Sequence, residues 1–412
     1  MKTWSVLIKP NDVMLNMMSD SLSIYDQALY FQRQEFFKAR DTGCKLNALT
    51  FGELYNLTKE TDAFKKSKLD HVLKSAAIRK ANDSWSSYIK ARIAYKNDPD
   101  KFSGEPSLPR YLYRRKKYTN VYIDKTRLRY KDITKENEFR LPCTQVKIQF
   151  PPQIRRDQIR QVVLQYYYGK VKVNIIYDED AKEMNQLNMD SAMGIDIGVN
   201  NLCAITVNDK DLSYVVKGGP LKSINQYYNK KLTKIQSMLE KCNNGKTSKK
   251  RNRLSLKRTN KINDYMHNAS RMIINICIDN NIGHIIIGHN DNWKQKINMG
   301  DKNNQNFVQI PFNNLIDMIR YKGVEYGILV ETIEESYTSK CDHLVMESME
   351  HHDKYDGKRI KRGQFKSSTG KIINADVNGS IGILRKAKAI TDAQIMHLRD
   401  RGDVVSPAVL RK

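Results

Sequence analysis

A carboxylate in the middle of an apolar run constrains this chain more than any other feature. In GIDIGVNNL, residues 194–202, Asp196 lies among Met193, Ile195, Ile197 and Val199, with Gly194 and Gly198 close by. The run reads as a buried strand. An ionised carboxylate there is costly unless it is paired or coordinates a cation. Taken alone, Asp196 also fits a strand-end residue bonded to a nearby turn.

The surrounding pattern supplies a context. From residue 190, AMGIDIGVN, LCAITV and LSYVVKG read as consecutive strands. SINQYYNKKLTKIQSMLEKC and RLSLKRTNKINDYMHNASRMIINICIDN read as helices joined by the basic loop NNGKTSKKR. HIIIGHN is a buried strand, PFNNLIDMIRYKGVEYG a helix, ILVETIEES a strand, and ADVNGSIGILRKAKA a helix starting near Asp376. A meander that then alternates with helices predicts a mixed sheet flanked by helices. Upstream, residues 1–15 read as strand, and 17–98 repeat apolar residues three and four apart, as helices do. KNDPDKFSGEPSLPR is a loop. RYLYRRKKYTNVYID, TQVKIQF and QVVLQYYYGKVKVNIIYDE are β-branched and aromatic and read as strands with turns.

Composition narrows the class of partner. Lys and Arg number 71 against 45 Asp and Glu, a net charge of +26. That surplus favours a polyanion, and nucleic acid is the common one. No apolar run approaches the roughly 18 residues of a membrane span, and no lipidation motif is present, so no membrane partner is expected. The apolar opening is broken by Lys9, Pro10, Asn11 and Asp12, unlike a signal peptide. The six cysteines include no CxxC pair, which fits a reducing compartment.

An RNase H-like fold brings Asp196, on the first strand of the sheet, together with Asp376, at the start of the last helix. A third acid then comes from a later strand. Three such acids hold two Mg²⁺ ions about 4 Å apart, one activating water and the other stabilising the leaving oxygen of a phosphodiester. Taken alone, Asp376 is an ordinary helix cap. GIDIGVNN also resembles the first phosphate loop of actin-like ATPases, but the second, glycine-rich loop of those enzymes is missing.

GIDIGVNNLCAITV, SINQYYNKK, NRLSLKRTNKINDYMHNASRMII, NNQNFVQIPF, YTSK and NADVNGSIGILRK, in that order, resemble the TnpB (OrfB) proteins of insertion sequences. The resemblance is dense from about residue 190 to 386; the preceding half matches only in layout. It implies a transposon-encoded RNA-guided DNA endonuclease, related to type V CRISPR effectors and Fanzor proteins. The implied fold is α+β and multidomain. A wedge strand (1–15) precedes an inserted helical recognition lobe (16–109) and a β-barrel-like wedge domain (110–185). An RNase H-like (RuvC) nuclease domain (186–340), a degenerate zinc-finger-like basic hairpin (341–372), and the final RuvC helix and tail (373–412) follow.

The resemblance makes Asp196 and Asp376 magnesium ligands and exposes a departure. Most members end the strand equivalent to HIIIGHN with Glu, where this chain has Gly288; Asp291 follows three residues on. Other TnpB proteins and many Fanzors carry the acid in Glu-x-Tyr-Thr-Ser, which selects Glu335. Strand alternation sends Glu334 and Glu335 to opposite faces without saying which reaches the metals. The expected site is therefore Asp196, Glu335 and Asp376, as catalytic residues and as ligands of two Mg²⁺.

Typical relatives also bind zinc through two CxxC pairs after the Tyr-Thr-Ser motif. Here Cys341, His343, His351 and His352 make an incomplete set, so no zinc is expected. Arg110, Tyr111, Arg114, Arg115, Lys116 and Lys117 interleave aromatic and basic groups, which suits stacking on bases and binding phosphates. Lys249, Lys250, Arg251, Arg253, Lys257 and Arg258 are expected to line a guide–target heteroduplex channel. Lys358, Arg359, Lys361 and Arg362 are expected to touch phosphate.

The expected partners are guide RNA and target double-stranded DNA, in the bacterial cytoplasm at the nucleoid; the oligomeric state stays open. Gly288 and the lost cysteines favour one rival, a nuclease-inactive RNA-guided DNA-binding regulator. A compact type V CRISPR effector shares the chemistry. A DNA transposase lacks support, since no Tyr or Ser recombinase constellation is visible.

Overall fold

The computed structural model describes residues 1–43, 48–125, 137–180, 186–243, 247–290, 309–361 and 363–410. The chain divides into two compact units, Met1–Ala181 and Lys182–Lys412.

The first unit opens with β1 (Lys2–Ile8), followed by α1 (Asp12–Thr42), α2 (Phe51–Lys59), α3 (Asp62–Lys66) and α4 (His71–Asn97). Next come β2 (Val121–Asp124), β3 (Glu138–Arg140), β4 (Lys147–Gln149), β5 (Ile159–Tyr167) and β6 (Lys170–Tyr177). The strand expected over 1–15 stops at Ile8, because Asn11 accepts the Met14 N–H at 2.8 Å and caps α1. Met14, Met18, Leu22 and Leu29 recur on the buried side of α1. Met14, Met18 and Leu29 share one apolar core with Leu73, Ala77, Ala81 and Trp85 of α4 and with strand residues such as Val162 and Val173. The strands form an antiparallel sheet in the order β1-β6-β5-β2 and a separate β3–β4 pair.

RYLYRRKKY, read from sequence as strand, is a turn instead. Buried Asp26 of α1 accepts the backbone N–H groups of Leu112 at 2.7 Å and Tyr113 at 2.9 Å. Backbone donors that a neighbouring strand would have satisfied go to a distant carboxylate.

The second unit contains β7 (Asn188–Ile197), β8 (Asn201–Val207), β9 (Ser213–Lys217), α5 (Gly219–Asn243), α6 (Lys249–Asp279) and β10 (Ile282–Gly288). It continues with α7 (Phe312–Val324), β11 (Leu329–Ile333), β12 (Lys358–Lys361), β13 (Gln364–Lys366), β14 (Ile372–Asn374), α8 (Ala375–Lys386), α9 (Asp392–Asp400) and β15 (Ala408–Leu410). The main sheet runs β11-β10-β7-β8-β9-β15. β7, β8 and β9 form the antiparallel meander, and β10 and β11 extend it in parallel. This is the mixed, helix-flanked sheet that the pattern predicts.

Period-2 alternation divides β7 between two layers. Met193, Ile195 and Ile197 join a core with Ile273 of α6 and Phe312 and Ile316 of α7. On the opposite face, Ala192 packs with Ile286, Ile383 and Leu384, the last two from α8. Gly194 allows the helix to come close: a β-carbon there would lie 2.5 Å from the Ser380 carbonyl oxygen. Asp196 is the next residue on this α8 face.

Candidate active site

Asp196 pairs with Ala204 of β8 and lies against Gly379 of α8. A β-carbon at 379 would be 2.6 Å from Asp196 Oδ2, so only glycine leaves the carboxylate its place. Asp376 stands one turn earlier on the same helix, a spacing that keeps the two positions on one side. It does not cap α8. Asn374 does, accepting the N–H groups of Asp376 at 3.0 Å and Val377 at 3.3 Å. The Asp376 carboxylate is thereby free for tertiary contacts. Asn201 donates to its Oδ2 at 2.7 Å, and Arg359 of β12 lies 3.5 Å from its Oδ1. Lys217 in turn donates to Asn201 Oδ1 at 3.2 Å.

The segment ILVETIEES is strand only to Ile333, so both glutamates lie beyond β11. Two hydrogen bonds dock this loop on the end of β10: His289 N–H to the Ile333 carbonyl at 2.8 Å, and Glu335 N–H to Asn290 Oδ1 at 2.9 Å. Gly288 pairs with Ile333. A β-carbon on Gly288 would meet Glu335 Cγ at 2.7 Å and its Oε1 at 2.9 Å. The Glu335 side chain thus fills the volume that a side chain at 288 would take. Its Oε1 is buried with no hydrogen-bond partner. Glu334 is 59% exposed and pairs with Lys386 at 2.6 Å.

The electrostatics follow from this crowding. Burial, then Glu335, then Asp376 push the Asp196 carboxyl well above the usual range, with Arg359 opposing. Burial, then Glu334, raise Glu335 to about 7, with Lys386 opposing. An orphaned buried carboxylate oxygen beside repelling acids favours a cation. An all-oxygen donor set suits a hard divalent ion such as Mg²⁺. Among the described residues no three His, Cys, Asp or Glu side chains are gathered closely enough to hold a metal ion. Asp376 is engaged instead by Asn201 and Arg359.

Sequence reasoning missed Asn201, Asn290 and Gly379. The signal for Asn201 is its place in GVNNL, five residues after Asp196. Asn290 and Gly379 carry no local signal, since their roles arise from strand and helix packing.

The insert after Ser339 is cross-linked by hydrogen bonds. Buried Asp342 accepts from Ser367 Oγ at 2.8 Å and from the Ser368 N–H at 2.7 Å. Buried Cys341 donates to the Ser348 carbonyl at 3.3 Å. Both His343 ring nitrogens are engaged, Nε2 with the Thr338 carbonyl at 2.6 Å and Nδ1 with Arg385 at 2.8 Å. Burial lowers His343 to about 4. This donor set does not fit a tetrahedral zinc ion. Metal analysis of purified protein is expected to find no stoichiometric zinc; one tightly bound zinc per chain would contradict this.

The basic residues fall into three settings. Arg110, Arg114, Arg115, Lys116 and Lys117 are exposed around the turn held by Asp26. Tyr111 is half-buried, with the Arg33 guanidinium 5.0 Å from its ring centre. Lys249, Lys250 and Arg251 are not loop residues, because Ser248 accepts the Arg251 N–H at 3.1 Å and starts α6 there. Lys257 and Arg253 are exposed on α6, whereas Arg258 donates to Asn225 at 2.7 Å and to the Gln309 carbonyl at 3.2 Å. Lys358 and Lys361 are exposed on β12, while Arg359 faces Asp376. Arg362 and Asp291 lie outside the described residues.

A family model described as a probable transposase, OrfB_IS605, matches residues 173–294. A second, described as the Cas12f1-like TNB domain, matches residues 312–383. The TnpB-like protein ORF457 of Acidianus two-tailed virus is 23% identical over 402 residues, spanning 90% of this chain and 82% of that protein. The fold is similar to the protein in a cryo-EM structure of a Cas12f1–sgRNA–target DNA complex. That alignment has a TM-score of 0.53 and 15% identity, covering 90% of this chain and 82% of the other. Among the described residues, no helix is long and apolar enough to cross a membrane.

Proposed function

We infer that this chain, which is of the TnpB type, is an RNA-guided DNA endonuclease with Asp196, Glu335 and Asp376 as its catalytic carboxylates. One observation carries this reading. From the loop after β11, Glu335 brings a carboxylate into the space beside Gly288, within electrostatic reach of Asp196. A carboxylate therefore stands beside β10 where its glycine supplies none.

The three carboxylates would hold Mg²⁺. When bound, the metal supplies activation of water and stabilisation of the leaving oxygen in phosphodiester hydrolysis. The other residues set the geometry. Asn201, braced by Lys217, orients Asp376; Asn290 anchors the Glu335 backbone. Arg359 balances the acids. The exposed basic residues of α6 and β12 and of the turn at 110–117 bind phosphates. Base pairing with a guide RNA selects the target. The first unit reads a short motif beside the target in duplex DNA. The protein acts in the cytoplasm at the nucleoid. The Cas12f1 complex, which holds an sgRNA and target DNA, supports these partners.

The test begins with protein purified together with its own RNA. Sequencing that RNA defines a matched target plasmid, and incubation with Mg²⁺ is expected to cut it. Guided binding without cutting in either Mg²⁺ or Mn²⁺ would overturn the nuclease reading in favour of a regulator. Affinity is also expected to depend steeply on salt. A protein making several phosphate contacts loses about three or more decades of affinity between roughly 50 and 200 mM salt. A nearly flat titration would contradict a phosphate-dominated interface.

A further inference from the structure

We propose that a pocket between α5 and α6 stacks one unpaired nucleobase of a single DNA strand on Tyr227, with the adjoining phosphates on Lys257 and Lys261. The two helices run antiparallel and are tied side by side. Tyr228 Oη and Ser255 Oγ are 3.2 Å apart, and Arg258 donates to Asn225 at 2.7 Å. These bonds fix the back of a pocket of about 380 Å³, within the range of small-ligand sites.

Its lining is divided by chemistry. Ile224 and Leu254 provide apolar walls, and Lys257 and Lys261 are exposed at the rim. Two adjacent tyrosines differ sharply. Tyr228 is half-buried, with Arg258 5.0 Å from its ring centre. Tyr227 is 56% exposed, and Lys231 lies 5.8 Å from its ring centre. A large aromatic face left open beside apolar walls and cations suits a flat, uncharged ring attached to an anion, which describes a nucleotide. A duplex offers no free base face, so the occupant is an unpaired base.

The pocket's position links it to the carboxylates. Tyr227 lies eight residues beyond Gly219, about 12 Å along α5. Lys217, just before that helix, donates to the Asn201 that holds Asp376. A strand seated on Tyr227 therefore lies on the helix that begins just after Lys217. The delivery role rests on the endonuclease reading above; the stacking chemistry does not.

The experiment uses full-length protein in EDTA, so that no cleavage contributes. A short single-stranded DNA carrying 5-iodouracil is photocrosslinked and the attachment site is mapped by mass spectrometry. Crosslinking at Tyr227 is expected with the single strand and not with the same sequence as a duplex. Tyr227→Leu is expected to weaken binding of a 2-aminopurine single strand about 5- to 150-fold and abolish its quenching. Tyr227→Trp is expected to restore both. Thermal unfolding of each variant checks folding, and duplex binding is expected to be unchanged. Equal duplex and single-strand crosslinking, or unaltered single-strand quenching in Tyr227→Leu, would overturn the proposal. Crosslinking by the matching RNA strand alone would assign the pocket to RNA and overturn it too. Intact crosslinking by wild type that does not cut its guide-matched target in a parallel assay with Mg²⁺ would instead count against the endonuclease reading.

Discussion

Asp196→Ala, Glu335→Ala and Asp376→Ala are each expected to lower cleavage of a guide-matched target by about a thousandfold or more while leaving guided binding within a few fold. A metal-held transition state is worth several kcal/mol, and each 1.36 kcal/mol is a factor of ten in rate. Binding is spared because base pairing and basic contacts supply the affinity. Glu334→Ala is expected to cut nearly as wild type, since Glu334 is solvated and paired with Lys386. Gly288→Glu alone should lose activity, because its side chain enters the space of Glu335 and Ile383. Placed in the Glu335→Ala background, the same substitution should recover part of the cleavage, because the space is then open. Cleavage gels and filter binding on the same samples separate the two effects. A dead Glu334→Ala beside an active Glu335→Ala would reverse the assignment of the third acid.

The second large effect concerns metal-free stability. The Glu335 carboxyl titrates near 7 in the folded protein against an ordinary value of 4.5. A raised folded pKa means that its stability contribution is complete below about 4.5 and is lost as pH rises through about 7. Once lost, it amounts to about 3 kcal/mol. Glu335→Gln cannot ionise. In EDTA it should match wild type near pH 4, exceed it progressively between about pH 4.5 and 7, and keep the full excess at pH 8. For a unit of this size the gain corresponds to roughly 6–12 °C in midpoint. Asp196→Asn should move in the same direction, because burial and the neighbouring acids disfavour its charge as well. Mg²⁺ should raise the wild-type midpoint at pH 8 by binding only the folded state. Thermal melts across pH, with and without metal, provide the test. A difference between wild type and Glu335→Gln that stays constant from pH 5 to 8 would show that Glu335 carries no burial cost.

Much of the fold was legible because its signals are local. The apolar run around Asp196 records a strand buried on both faces, and alternation along β7 sends Asp196 to the face of Gly194. The three- and four-residue recurrence in α1, α4 and α6 records helices with one buried side. Asp376 near the start of α8 was also readable, although the cap itself is Asn374 and α8, expected to be the last helix, is followed by α9. These features depend on residues a few positions apart, which share one element and one backbone geometry.

Other features depend on which distant segments meet. RYLYRRKKY has the composition of a strand, yet Asp26 on α1 holds its backbone as a turn. Period alone could not choose between Glu334 and Glu335. Only the docking of the loop after β11 on β10 sets Glu335 beside Gly288 and leaves Glu334 solvated against Lys386. Arg359 reads as one cation in a basic run, but β12 places it against Asp376. What the sequence alone determined is the placement of most strands and helices and that Asp196 needs compensation, because hydrophobic periodicity and the cost of a buried charge act locally. Which side chains surround it was decided by the tertiary structure, because strand pairing, helix approach at Gly379 and vacant volume at Gly288 exist only once the distant elements are packed.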